Sequence, residues 1–192
     1  MVKVNRKEAE PMKEGYVDNR FASLYYKEMG QGMPLIMLHG NGESHEIFAR
    51  LSELMSRYYR VILMDSRGHG SSLMKEEAAG GDLTIPDMAA DVVQVMEFLH
   101  VPRAVILGFS DGANVALETA SCYPGRVSAV VAVSGNALPR GMSAASLMEV
   151  KIKYALWRGL EKVPLPRGVR ERTVKSRQLL GLMARWPRLD KE

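Results

Sequence analysis

Residues 104–125 read AVILGFSDGANVALETASCYPG, and this stretch decides the fold. AVIL is a short, unbroken apolar run, the pattern of a strand covered on both faces. The stretch from Asp111 to about Ser121 reads as a helix, which Tyr123-Pro124-Gly125 ends. Between the two stands Gly108-Phe109-Ser110-Asp111-Gly112, a G-x-S-x-G pattern. A strand-to-helix turn this sharp strains the backbone of its central residue, and glycines two before and two after leave room for the chain to close. The Ser110 hydroxyl is then held at a helix N-terminus, where the helix dipole and free N–H groups favour developing negative charge. Ser110 is therefore the candidate nucleophile.

Outward from this stretch the same grammar recurs. Pro34–Leu38 (PLIML), Val61–Met64 (VILM) and Ala129–Val133 (AVVAV) are further apolar runs bounded by turn residues. Ile47, Leu51, Leu54 and Met55 follow helix spacing after a cap at Ser44, so they are expected on a helix. Ile85, Met88, Ala89, Val92, Val93, Met96 and Leu99 do the same, with Thr84 and Asp87 at capping-box spacing. Strands alternating with helices predict an α/β fold, a mostly parallel sheet with helices on both faces. Tyr16–Val17 and Phe21–Met29 read as a leading antiparallel pair, turned at Asp18-Asn19 and closed by Gly30-Gln31-Gly32. After Ser134 the pattern is helical only, interrupted at Pro164, Pro166 and Gly168. Residues 1–136 are thus expected to form the N-terminal part of the core, and 137–192 a helical cap-like segment and linker.

The 192 residues are 46% hydrophobic and 25% charged, the make-up of a soluble globular chain. The net charge of +4 is unevenly placed: residues 1–150 carry 14 basic against 18 acidic side chains, and 151–192 carry 12 against 4. Tyr154, Leu156, Trp157, Leu160, Leu179, Leu180, Leu182, Met183 and Trp186 interleave with those basic residues, which suits amphipathic helices packing on a body better than a nucleic-acid-binding tail. No apolar run approaches the ~20 residues of a membrane span, and MVKVNRKEAEPMKEG has no apolar segment of a signal peptide. The expected setting is cytoplasmic. Cys122, the single cysteine, excludes an intrachain disulfide and is expected to be a buried thiol.

Two more loops follow apolar runs. In His39-Gly40-Asn41-Gly42 the backbone offers a second N–H group of the kind acyl transfer needs beside its nucleophile. The backbone N–H groups of Asn41 and Asp111 are the candidate oxyanion donors, and His39, Gly40, Gly108, Phe109 and Gly112 the residues that shape the site. Asp65-Ser66-Arg67-Gly68-His69-Gly70-Ser71-Ser72 reads as a hydrogen-bonded loop on the same rim. The glycines fit neither a dinucleotide fingerprint nor a phosphate loop, and His39, His45, His69 and His100 have no metal-ligand spacing, so no cofactor or metal is expected.

HGNGES, DSRGHGSS and GFSDG, in this order and each after its own strand, resemble the α/β-hydrolase superfamily over about residues 15–190, nearest to esterase-like members with a helical cap. The resemblance implies attack by Ser110 on a carboxylic ester or related acyl carbon of a small molecule, an acyl-enzyme, and its hydrolysis by water. In that superfamily an acid and a histidine follow the serine. No histidine follows Ser110 in this sequence. The expectation is a hydrolase core incomplete at its C-terminal edge, catalytically impaired and prone to self-association through an exposed strand. Recruitment of His39 or His69 as base, or of a base from a partner chain, is one alternative. A non-catalytic ligand-binding or interaction module retaining the core is another.

Overall fold

The computed structural model describes residues 12–75 and 83–136, together with Met148. Apart from Met148, the cap-like segment expected over 137–192 lies outside the described residues. Each apolar run lies within a strand: PLIML in β3 (Met33–Leu38), VILM in β4 (Tyr59–Met64), AVIL in β6 (Ala104–Phe109) and AVVAV in β7 (Val127–Val133). The leading pair is β1 (Lys13–Asp18) and β2 (Ala22–Met29), antiparallel with Asp18 opposite Ser23. Asn19 closes their turn, its Oδ1 accepting the N–H groups of Phe21 and Ala22 at 2.8 and 2.7 Å, the local bonding that suits asparagine to turns. A two-residue strand without a sequence signal, β5 (Leu73–Met74), pairs with β2.

The helices are α1 (Ala49–Met55), α2 (Ile85–Phe98) and α3 (Asp111–Cys122). The expected cap of α2 is present: Thr84 Oγ1 accepts the Asp87 N–H at 3.2 Å and its hydroxyl donates to the Asp87 carboxylate.

The sheet order is β1-β2-β4-β3-β6-β7, with β5 beside β2. Strands β4, β3, β6 and β7 run parallel. The register pairs Leu38 with both Met64 and Gly108, so β3, β4 and β6 end level with one another. The loops that leave these ends, 39–43, 65–72 and the turn at Ser110, therefore share one rim. Open α/β sheets bind ligands at this carboxyl edge.

Side chains alternate across the sheet, so the unbroken runs fill two cores. Ile36, Leu38, Ile62, Met64 and Ile106 pack against Met88, Val92 and Met96 of α2 and Val115 and Ala116 of α3. Leu35, Met37, Val61 and Leu63 pack with Phe48 on the opposite face. Fully burying one such side chain contributes about 1.5–3 kcal/mol before chain entropy is subtracted.

Three expectations are corrected. The chain enters α1 through a 3-10 turn, His45–Phe48, capped by Ser44. That tighter winding turns Phe48 and Ser52 inward, whereas Ile47, Leu51 and Leu54 point outward at 44%, 37% and 48% exposure. Strand β7 is not covered on both faces: Val130 packs on the α2–α3 side, but Val131 and Val133 are exposed. Beside them, Val105, Leu107 and Phe109 of β6 are only partly buried, since the described helix on this face, α1, packs on β4. Cys122 is exposed, one turn beyond the buried Thr119, with Sγ donating to Glu118 Oε1 at 3.3 Å.

Candidate active site

The turn joining β6 to α3 places Ser110 at φ 53°, ψ −117°, left-handed geometry that a residue with a β-carbon adopts only under strain. Close packing imposes it. A β-carbon at Gly108 would lie 2.2 Å from the Gly112 carbonyl oxygen, and one at Gly112 would lie 2.1 Å from that of Leu38. Strand, elbow and helix thus approach at distances only glycine permits. The Ser110 N–H donates to the Val133 carbonyl at 2.9 Å, which fastens the elbow to the end of β7. The chain just beyond β7 is fastened too, its Asn136 N–H donating to Asn114 Oδ1 at 2.8 Å.

Asp111 opens α3 and is buried. Its Oδ1 accepts a long bond from Asn114 Nδ2 at 3.4 Å, while Oδ2 has no hydrogen-bond partner among the described residues. Burial pushes this carboxyl above the usual carboxylate range, more than the Asn114 bond lowers it.

The 39–43 loop faces the elbow. Gly40 is where they meet: a β-carbon there would lie 2.7 Å from Glu43 Oε2, 3.1 Å from Ser110 Cβ and 3.4 Å from Phe109 Cδ1. The Gly40 N–H donates to Glu43 Oε2 at 2.9 Å and the Glu43 N–H to the Gly40 carbonyl at 3.3 Å, so the loop folds back on itself. Glu43 Oε2 and Ser110 Cβ are consequently within about 6 Å of each other. Two unit charges that far apart interact by about 1–3 kcal/mol in a partly screened site. Among the described residues no Lys or Arg forms an ion pair with Glu43.

The histidines are fastening points. His39 is buried, with Nδ1 2.7 Å from the Gly40 carbonyl and Nε2 accepting the Ser66 N–H at 3.0 Å. This fixes the neutral tautomer with Nδ1 as donor. Burial lowers its pKa more than the Gly40 bond and the Asp65 carboxylate raise it. His69 lies 3.0 Å through Nδ1 from the Arg67 carbonyl and 3.3 Å through Nε2 from the Asn41 side chain, tying the 65–72 loop to Asn41. Both nitrogens of both rings are therefore engaged.

Asp65 organises the 65–72 loop. Fully buried, it accepts the His45 N–H at 2.6 Å and the Ser71 N–H at 2.8 Å, and His45 Nδ1 lies 3.0 Å away. Arg67 grips Asp91 of α2 through Nε and Nη2 at 2.6 and 2.7 Å, and Asn19 Nδ2 donates to the same carboxylate at 2.8 Å. Burial still holds the Asp91 carboxyl above its usual range, outweighing the pull of Arg67. Among the described residues no group of acidic, histidine or cysteine side chains is arranged to hold a metal ion, and no helix is long and apolar enough to cross a membrane.

The residues singled out in the sequence, His39, Gly40, Asn41, Gly108, Phe109, Ser110, Asp111 and Gly112, thus come from two chain segments that meet at one rim. His69, on the 65–72 loop expected at the same rim, joins them through Asn41, and Glu43 and Asn114 join them without having been anticipated there. Glu43 and His69 sit inside the HGNGES and DSRGHGSS motifs, but nothing in their spacing shows that one folds back onto Gly40 and the other reaches Asn41.

A family model for the alpha/beta hydrolase fold matches residues 33–161. Over 104 residues the chain is 34% identical to AB hydrolase superfamily protein YisY of Bacillus subtilis, covering 54% of this chain and 37% of that protein. Over 113 residues it is 31% identical to a pimeloyl-[acyl-carrier protein] methyl ester esterase of Chromobacterium violaceum, covering 58% of this chain and 41% of that one. The chain spans about two fifths of the length of these relatives. Its fold matches the solved structure of a hydrolase from Pseudomonas aeruginosa with a TM-score of 0.66 at 22% identity, over 89% of this chain and 71% of that one.

Proposed function

Since the chain belongs to the alpha/beta hydrolase fold family, we propose that it carries the acylation half of a serine hydrolase site, with Ser110 attacking a carboxylic ester or related acyl carbon. The observation that carries this reading is the strained backbone of Ser110 at the junction of β6 and α3, opposite the 39–43 loop. No packing requirement of the fold calls for a hydroxyl on that strained residue. Asn41 and Asp111 are assigned as backbone donors to the oxyanion. The similarity to an esterase supports acyl chemistry.

His39 and His69 each have both ring nitrogens engaged, which speaks against either as the general base. With neither ring serving as base, acylation is expected to be slow and the acyl-enzyme to persist, because its hydrolysis needs an activated water. The test is incubation with p-nitrophenyl acetate, followed by intact mass and peptide mapping. We expect one acetyl group per chain on Ser110, one equivalent of p-nitrophenolate, little turnover, and no adduct in Ser110→Ala. Adducts that form equally in wild type and Ser110→Ala would refute the nucleophile assignment and favour a binding module. The reading includes self-association through β7, whose outer edge has no partner strand among the described residues.

A further inference from the structure

The carboxylate of Glu43 is the feature of the rim that the proposed chemistry leaves unexplained. A negative charge within about 6 Å of the Ser110 β-carbon opposes the oxyanion that acylation creates. Nor is this carboxylate free to swing away. The Gly40 N–H holds Oε2 at 2.9 Å, and Gly40, which has no room for a β-carbon, puts no side chain between carboxylate and serine. Its nearest titratable neighbour in the same loop, His39, is held neutral by burial and so offers no compensating charge. Asp111, on the other side of Ser110, is pushed toward its neutral form. The fixed charge beside the serine is therefore that of Glu43.

We infer that Glu43 makes the Ser110 site charge-selective, accepting acyl groups that carry a cation close to the reacting carbon ahead of neutral ones, and neutral ones ahead of anionic ones. A cationic acyl group answers both sides of the problem: it pairs with the unbalanced carboxylate and offsets its repulsion of the oxyanion. The inference rests on the reading of Ser110 as nucleophile. In the step it concerns, Ser110 Oγ forms a bond to the carbonyl carbon, the ester bond to p-nitrophenolate breaks with its electron pair, and the serine proton passes to solvent.

Three p-nitrophenyl esters of similar size test it on the full chain: trimethylammonioacetate, 3,3-dimethylbutanoate and hemisuccinate. The readout is the rate of the p-nitrophenolate burst, with mass analysis placing the acyl group on Ser110. At this separation each step of charge is expected to change the acylation rate about tenfold, and the ratios shrink as salt is added. E43Q keeps an acceptor for the Gly40 N–H and loses the charge. It should bring the cation-to-neutral ratio to within about threefold of unity and speed acylation by the neutral ester. The thermal midpoint of E43Q checks that the loop still folds. Ratios unchanged in E43Q, or no charge preference in wild type, would overturn the inference while leaving the nucleophile in place. Labelling that survives Ser110→Ala, or no Ser110 adduct with any of the three esters, would overturn the nucleophile reading and this inference with it.

Discussion

Replacing Gly112 with alanine tests whether the elbow depends on contact between backbones. A β-carbon at Gly112 would lie 2.1 Å from the Leu38 carbonyl oxygen, 2.5 Å from its carbon and 2.6 Å from the His39 carbonyl oxygen. All three obstacles are main chain, so no rotamer change relieves them. Carbon–oxygen contacts close at about 3.3 Å, so α3 and the end of β3 must part by roughly 1 Å. Overpacking on this scale costs about 1–3 kcal/mol, and the backbone obstacles put it at the upper end. The helix preference of alanine returns up to about 1 kcal/mol, leaving a net loss of about 2 kcal/mol. Chemistry suffers more than stability, because the displaced strand end carries the 39–43 loop. A 1 Å misplacement of reacting groups costs about a hundredfold in rate. Gly125→Ala is the matched control, since a β-carbon there meets nothing within 4 Å; it should be neutral or stabilising by up to about 1 kcal/mol. Urea unfolding followed by circular dichroism, with the p-nitrophenolate burst on the same samples, reads both effects. Equal midpoints and equal burst rates for the two alanine variants would refute the close-approach argument.

Asp91→Ala leaves the buried Arg67 guanidinium without its carboxylate and should cost about 3–5 kcal/mol in urea unfolding; a loss under about 1 kcal/mol would show that the pair is solvated. His39 has its pKa below the ordinary 6.5 in the folded chain, so the unfolded state takes up the proton first. The stability from its neutral contacts is full above about pH 7 and falls as pH drops through 6.5 toward the folded value. The stability gap between wild type and His39→Gln should therefore narrow on acidification from about pH 7 to 5, and a constant gap contradicts the assignment. Cys122 should react with iodoacetamide without denaturant, and faster in Glu118→Gln, because the Glu118 hydrogen bond and charge hold the thiol above its usual range; equal rates would show that Glu118 does not act on it. Val131→Lys puts a charge on the exposed strand β7 and should lower the association constant in sedimentation equilibrium without moving the thermal midpoint; unchanged association would remove β7 from the proposed self-contact.

The sequence displayed what depends on unbroken local chemistry. AVIL, VILM and PLIML could become covered strands only by feeding two cores, and apolar helix faces had to pack over them. GFSDG between strand and helix admitted one geometry, because Gly108 and Gly112 have backbone where a side chain would stand. Long-range geometry was less legible. The phase of α1 turns on a 3-10 entry whose residues, His45 to Phe48, carry no period of their own, so helix spacing alone does not show that Ile47, Leu51 and Leu54 point outward. AVVAV has the composition of a covered strand, but cover is supplied by other elements, and the run alone cannot show whether they are there. Glu43 is the sharpest case. As the fifth residue of HGNGES it reads as a solvated loop acid, and only the fold-back of its carboxylate onto the Gly40 N–H brings it to Ser110. A motif can thus locate a candidate nucleophile while concealing the charge proposed to select its acyl groups, because the first depends on residues adjacent in the chain and the second on how a loop folds back toward the elbow.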